Sequence, residues 1–366
     1  MKIVLISKNC YPYLSPRAHR TTELAKAFVK LGHEVIVYSL LGNYDYSDFS
    51  KNTGIKFKNL GESKYGVVDN TGYYNRNIFY RIFGRIVGRK YFEFPLIELK
   101  SMVQRALKSE SKIDYLITVA HPYPIHWGVA SYIDKNTDKI KFWVADCGDP
   151  YMRNPFSIPP FYFKYLEKRW CKRCNYITIP IESAVNGYYP EFRYKIRIIS
   201  QGFDFEDIKL LRYEQKTIPT FAFAGLIYKK LRDPSRFLQY LSKQNFDFKF
   251  IVYSQKSDIF DNFKSILGEK LEVRDYIPRE LLLTELSKMD FLINIQNNST
   301  VQQPSKLIDY ALTQRPILNI TSEFGEMNTF DEFIKNNFTN QLIVKDIQQY
   351  NIINVANKFL SLMRTN

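Results

Sequence analysis

The stretch Gln303-Pro304-Ser305-Lys306-Leu307-Ile308-Asp309-Tyr310, running on through Ala311-Leu312-Thr313-Gln314 to Arg315-Pro316, decides the architecture. It follows the apolar run Phe291–Ile295 and leads into a second one, Ile317–Ile320. Pro304 or Ser305 opens a helix, since proline is tolerated in a first turn and serine can cap it. Strand, helix, strand in that order is the building unit of a parallel sheet. Lys306 and the free amides of the first turn would face an anion. Asp309, one turn further on, would accept bonds from both hydroxyls of a cis-diol. A single helix thus offers places for a phosphate and a ribose.

Outward from this stretch the same alternation recurs. In the second half Phe221–Ala224, Phe248–Tyr253 and Leu271–Val273 read as further strands. In the first half Lys2–Ser7, Glu34–Ser39, Tyr115–Ala120, Lys141–Ala145 and Tyr176–Ile179 do so, with a helix over Arg20–Leu31. Continuous apolar runs, rather than strict alternation, mark strands covered on both faces. The expected fold class is α/β with two Rossmann-like βαβ domains facing a central cleft. Their expected bounds are residues 1–203 and 204–349, joined through a charged stretch ending at Pro219. A C-terminal helix at 350–366, apolar at helical spacing from Ile353 to Met363, crosses back to the first domain. Ligands in such sheets bind at the C-terminal ends of the strands.

Composition narrows the field. Of 366 residues, 45% are hydrophobic and 24% charged, as in a globular protein. A formal charge of +15 predicts an anionic partner, yet no zinc-finger spacing or ribonucleoprotein motif points to nucleic acid. The aromatic share of 16% fits either sugar-stacking and interfacial surface or a compositional habit. Cys171 and Cys174 form half of a zinc pattern with no second half, so no metal is expected and the thiols read as reduced. No run approaches the ~20 apolar residues of a membrane span.

Two loops carry candidate chemistry. Phe221–Gly225 is a strand ending in glycine, and the basic Lys229, Lys230 and Arg232 follow before a helix start at Asp233-Pro234. Glycine admits close approach of backbone to a ligand, and the charges suit a pyrophosphate. A solvated basic loop is the plainer alternative. His121 follows the strand Tyr115–Ala120 directly, where a sugar hydroxyl would bind, whereas His126 inside the next helix reads as structural.

In this order the motifs resemble those of the retaining GT-B glycosyltransferases of the family-four type. Leu31-Gly32-His33-Glu34-Val35 is similar to their turn into the second strand. Asp146-Cys147-Gly148-Asp149-Pro150-Tyr151 resembles their strand-end loop, with Gly148 where arginine is frequent. Ser200-Gln201-Gly202-Phe203-Asp204 resembles the segment before the interdomain crossing, and Gly225 with Arg232-Asp233-Pro234, then Pro304 to Tyr310, completes the series. The resemblance implies sugar transfer from a nucleotide diphosphate, UDP or GDP, to a lipid-linked or saccharide acceptor. It also implies retention of anomeric configuration, no cofactor and no metal.

Catalytic roles would fall to His121, Asp149, Arg232 and Lys306. Donor binding would fall to Gly225, Lys229, Lys230, Arg232, Tyr253, Ser254, Tyr276, Ile277, Pro304, Ser305, Lys306 and Asp309. Two departures stand out. Val301 occupies the place of a frequent glutamate, leaving Asn298, Gln302 or Gln303 as substitutes. The usual glycine pair of the first loop is replaced by Ser15-Pro16-Arg17-Ala18, so Arg17 or His19 would face an acceptor phosphate.

Between the first strands and the Tyr115 strand, Arg81, Arg85 and Arg89 recur every fourth residue beside Ile78, Ile82 and Ile86. On a helix this makes a basic stripe next to an apolar face, suited to an anionic membrane surface. Packing of that face on the protein is the alternative, and Gly84 and Gly88 weaken the helix. The expectation is a cytoplasmic, peripheral enzyme of bacterial capsule or O-antigen synthesis at the inner membrane face. Two rival readings are a nucleotide-sugar epimerase on the same fold and a non-catalytic peripheral binding protein.

Overall fold

The computed structural model describes residues 1–72, 79, 82, 91–136, 138–154, 159–206, 208–227, 233–254, 258–296 and 305–364. The chain forms two compact units, Met1–Asp204 with Gln349–Asn366, and Phe205–Gln348.

The first unit alternates β1 (Lys2–Ser7), α1 (Pro16–Lys30), β2 (Glu34–Ser39), α2 (Ser47–Thr53) and β3 (Lys56–Asn59). It continues with α3 (Glu98–Ser109), β4 (Tyr115–Ala120), α4 (Pro124–Ile133), β5 (Trp143–Cys147), α5 (Phe163–Arg173), β6 (Tyr176–Ile179) and β7 (Ile196–Ile198). The seven strands are parallel in the order β3-β2-β1-β4-β5-β6-β7. Winding starts at the centre and reverses between β1 and β4, which makes the gap between those two strands the ligand crevice of a doubly wound sheet. Helix α1 starts four residues earlier than the apolar spacing alone suggests. Ser15 caps it by accepting from the Ala18 amide, with Pro16 in its first turn.

Both faces of this sheet are covered, as the unbroken apolar strands require. One layer contains the last helix, α11 (Ile352–Ser361), which packs on α1 after the chain has passed through the second unit. Asn351 caps α11 through the Ile353 amide, and its buried face is Ile352, Val355, Ala356 and Phe359. Each large side chain among them contributes about 1.5–3 kcal/mol by burial. The Phe359 carbonyl also accepts from the buried Tyr115 hydroxyl at 2.7 Å, tying the C-terminus to β4.

The second unit comprises β8 (Thr220–Ala224), α6 (Ser235–Leu241), β9 (Lys249–Tyr253), α7 (Asp258–Leu267), β10 (Leu271–Arg274) and α8 (Arg279–Leu286). Then come β11 (Phe291–Ile295), α9 (Ser305–Leu312), β12 (Ile317–Ile320) and α10 (Met327–Ile334). Its five parallel strands run β10-β9-β8-β11-β12, so winding reverses between β8 and β11. The core on one face is a phenylalanine lattice around Phe221, which stacks on Phe291 at 4.8 Å between ring centroids. Part of the aromatic share therefore fills this core.

Candidate functional site

In the second unit, chemistry collects where β8 and β11 diverge. β8 ends at Ala224, whose amide donates to the Tyr310 hydroxyl of α9 at 2.7 Å. That bond pins the first turns of α9 against the end of β8. Gly225 follows with φ +139, a conformation that side-chain-bearing residues rarely adopt. A Cβ there would lie 3.6 Å from Lys306 Cδ, so the bare backbone and the lysine stem share one edge of the sheet. The Lys306 ammonium sits 4.4 Å from the centroid of the Phe223 ring.

Asp309, one turn later, is half-buried and takes both Arg279 Nε and Nη2 on one oxygen, Oδ1, at 2.8 and 2.7 Å. Arg279 opens α8 directly after Pro278. The sequence reading missed it, because nothing in the pattern links residues thirty apart; its place in a helix's first turn was the available signal. An aspartate oriented from one side by a guanidinium presents a fixed carboxylate edge.

The other expected donor residues scatter. Ser254 is buried and its hydroxyl has no hydrogen-bond partner among the described residues. Tyr253 is buried in the core, its hydroxyl accepting from Arg274 at 2.7 Å. Ile277 packs beside that core layer, and Tyr276 is exposed. Lys229, Lys230, Arg232, Pro304 and the side chain of Ser305 lie outside the described residues, as do Asn298, Val301, Gln302 and Gln303.

In the first unit, His121 leaves the end of β4 and Asp149 lies two residues beyond β5, both exposed. Desolvation by the surrounding protein, then the positive charge of Lys8, lowers the His121 pKa below its ordinary value, with Asp149 opposing. The imidazole is therefore neutral at pH 7. His126 is fully buried, its Nδ1 2.8 Å from Thr118 Oγ1 and its Nε2 3.4 Å from Cys147 Sγ. Burial drives its pKa down to about 3, which fits the structural role read from the sequence.

Arg17 and His19 fall in the first turns of α1. Arg17 Nη1 donates to Asp146 Oδ2 at 3.3 Å, and its guanidinium lies against Gly148: a Cβ there would be 3.2 Å from Arg17 Cζ. An arginine from the first turn of α1 thus fills the space beside Gly148, the position where the resemblance expects one. His19 is half-buried, its ring 5.6 Å from that of Phe203.

Arg20, which the sequence reading passed over, is buried and grips the buried Asp146 through Nε at 3.2 Å and Nη2 at 2.9 Å. Thr178 adds a bond at 2.7 Å. Among the described residues no group of three His, Cys, Asp or Glu side chains is placed to hold a metal. Cys171 and Cys174 are buried free thiols.

The chain matches no protein family and no curated protein. Solved structures do match it along their whole length. A glycosyltransferase from Rickettsia africae ESF-5 superposes with a TM-score of 0.65 at 12% identity, covering 99% of this chain and 98% of that one. The lipopolysaccharide outer core galactosyltransferase WaaB in its apo form gives 0.61 at 10% identity, covering 100% and 99%. The Anabaena protein Alr3699/HepE, solved in complex with UDP and glucose, gives 0.58 at 9% identity over 100% of both chains. The fold is the GT-B glycosyltransferase fold. In the described residues no helix is long and apolar enough to cross a membrane.

Proposed function

We propose that this chain is a glycosyltransferase. It moves a sugar from a UDP or GDP donor to a saccharide acceptor carried on lipid, without a metal and with retention of anomeric configuration. The observation that carries the reading is the edge of the second unit, where Gly225, Lys306 and the Arg279-oriented Asp309 gather at the strand-order reversal. The whole-length likeness to glycosyltransferases, one of them bound to UDP and glucose, supports it.

In this reading Lys306 and the basic loop of Lys229, Lys230 and Arg232 neutralise the departing diphosphate, and Asp309 accepts from the ribose. The bond between anomeric carbon and phosphate oxygen breaks as the acceptor oxygen attacks from the same face. The acceptor proton passes to the departing phosphate. His121 holds a sugar hydroxyl, and Asp149 stands beside it in the first unit.

Thermal stabilisation by UDP, GDP, ADP and CMP tests the reading. One diphosphate is expected to raise Tm selectively in the wild type, and the rise should vanish in Lys306→Ala and Asp309→Ala. No response to any of the four would defeat the assignment.

Membrane association at the cytoplasmic face, in service of a bacterial surface polysaccharide, belongs to the same proposal. Arg81, Arg85 and Arg89, which argued for it in the sequence, lie outside the described residues. The support here is exposed aromatic side chains: Phe161 before α5 and Tyr165 on it are 74% and 65% exposed, and Phe92 is exposed as well. Tyr162 ties this region to residue 91 by donating to the Tyr91 carbonyl. Aromatic side chains near basic ones favour an anionic lipid interface. Sedimentation with phosphatidylglycerol vesicles is expected to fall at least tenfold for Phe161→Ser with Tyr165→Ser. Unchanged sedimentation in that variant would refute the assignment of this surface.

A further inference from the structure

Helix α5 buries one stripe, Phe163, Glu167, Trp170 and Cys171, at the spacing of an apolar face. Glu167 is the member that does not belong there. It is 0% exposed, and neither oxygen of its carboxyl group has a hydrogen-bond partner among the described residues. A polar group buried in this way costs stability that an apolar side chain would not, so its presence calls for a reason.

Beside it runs the loop after β5, residues 148–154, which carries the exposed Asp149. The Met152 amide approaches the Glu167 carboxyl without completing a bond, and Arg153 places a positive charge near it. The loop is held more firmly at its other residues. The Tyr123 hydroxyl donates to the Asp149 carbonyl, and the Tyr151 hydroxyl donates to Glu93 Oε2 at 2.9 Å. The Tyr151 ring lies 4.6 Å from that of Tyr123 and 6.0 Å from that of Phe163, one turn before Glu167. Pro150 is fitted against Gly187, where a Cβ would collide with the proline ring. Met152 is thus the point at which a closely fitted loop stops short of a bond.

Burial pushes the Glu167 pKa up to about 7, opposed by the Met152 amide and then by Arg153. Burial raises the pKa of each ionisable neighbour: Cys171 on α5, Tyr123 before α4, Tyr151 in the loop, and Tyr189. All four are therefore uncharged at neutral pH. His126, with its ring 4.8 Å from that of Trp170, is neutral there as well. Glu93 is a second carboxyl against the loop, its pKa also raised by burial, but it bonds the Tyr151 hydroxyl and not the Met152 amide.

We propose that Glu167 is a positioning residue for Asp149: on ionisation its carboxylate takes the Met152 amide into a full hydrogen bond and sets the loop in its working position. A bond to a carboxylate is shorter and stronger than one to a neutral carboxyl, so the protonated side chain leaves the amide short of its partner. The inference rests on the sugar-transfer reading for the use made of Asp149. The link from Glu167 to Met152 follows from this unit's own residues.

Amide spectra of the full chain, isotope-labelled on methionine nitrogen, test the link. Met152→Leu assigns the signal among the six methionines. The Met152 amide proton is expected to move downfield with an inflection at about pH 7. Glu167→Gln should abolish the inflection. Arg153→Gln should move it to higher pH, because a charge that favours ionisation is gone. His121→Asn should leave it in place. Near-ultraviolet dichroism of Trp127, Trp143 and Trp170, all buried in this unit, reports that each variant is folded. With the nucleotide sugar that stabilises the wild type, kcat should rise through the same pH. In Glu167→Gln that rise should be lost, with KM for the donor unchanged.

A Met152 signal without an inflection, or one that keeps it in Glu167→Gln, would overturn the proposal. So would a pH profile of kcat that is the same in both proteins. No response to any nucleotide, with the inflection intact, would defeat the sugar-transfer reading alone and leave the Glu167–Met152 link standing.

Discussion

Asp146→Ala is expected to lower the stability of the first unit by about 3–5 kcal/mol, enough to unfold it near body temperature. The carboxylate is almost fully buried and receives Arg20 twice, Arg17 once and Thr178 once. Removing it leaves the buried Arg20 guanidinium without a counter-ion, bonded to the carbonyls of Ile199 and Ser200 and lying 5.1 Å from the centroid of the Phe359 ring. The loss of an unpaired buried charge exceeds any gain the intact pair gives over an apolar substitute. The double change Arg20→Met with Asp146→Leu should therefore recover much of the loss. Chemical denaturation of the three proteins measures the effect, and a single mutant within 1 kcal/mol of wild type would refute it.

The pH dependence of the same pair has a fixed sign. Burial alone would raise the Asp146 pKa, but the charges of Arg20 and Arg17, with the bonds from Arg20 and Thr178, hold it below the usual carboxylate value. The native state therefore binds the proton less readily than the unfolded chain. The stabilisation is complete above the ordinary aspartate pKa of ~3.9 and is lost as pH falls through the lower native value. The stability gap between wild type and Asp146→Asn should be flat above about pH 5 and narrow below it.

Most strands of both sheets were readable because they are continuous apolar runs, Lys2–Ser7 and Phe291–Ile295 among them. β3 and β7 were not readable. They are edge strands of four and three residues, and sequences such as Lys-Phe-Lys-Asn show one apolar side chain at most to the core. Their pairing depends on neighbours, which local pattern does not contain.

The site shows the same division. Gly225, Lys306 and Asp309 were visible as strand-end and helix-start signals. Arg279 on Asp309 and Arg20 on Asp146 join residues 30 and 126 apart in sequence, and such pairs become neighbours only through the order of the strands.

Lys306→Ala is the second large effect, an expected loss of about 10²–10³ in kcat with UDP- or GDP-sugar, or ~3–4 kcal/mol of barrier. The developing charge on the departing diphosphate needs a preorganised cation. The Lys306 stem lies between Phe223 and the bare backbone of Gly225, so its ammonium cannot move far when that charge appears. Arginine at the same position should recover only part of the rate, because its charge is spread over a planar fork rather than held as a compact ammonium. Asp309→Asn should behave differently. It loses the Arg279 pair and, in the proposed reading, the ribose contact, neither of which changes as the sugar leaves, so KM should rise about tenfold with kcat nearly intact. Steady-state rates on the nucleotide sugar that stabilises the wild type would show the contrast. A Lys306→Ala enzyme with normal kcat would move the leaving-group role away from α9. Equal effects of both changes on kcat and KM would mean that the helix as a whole, rather than its separate side chains, had been disturbed.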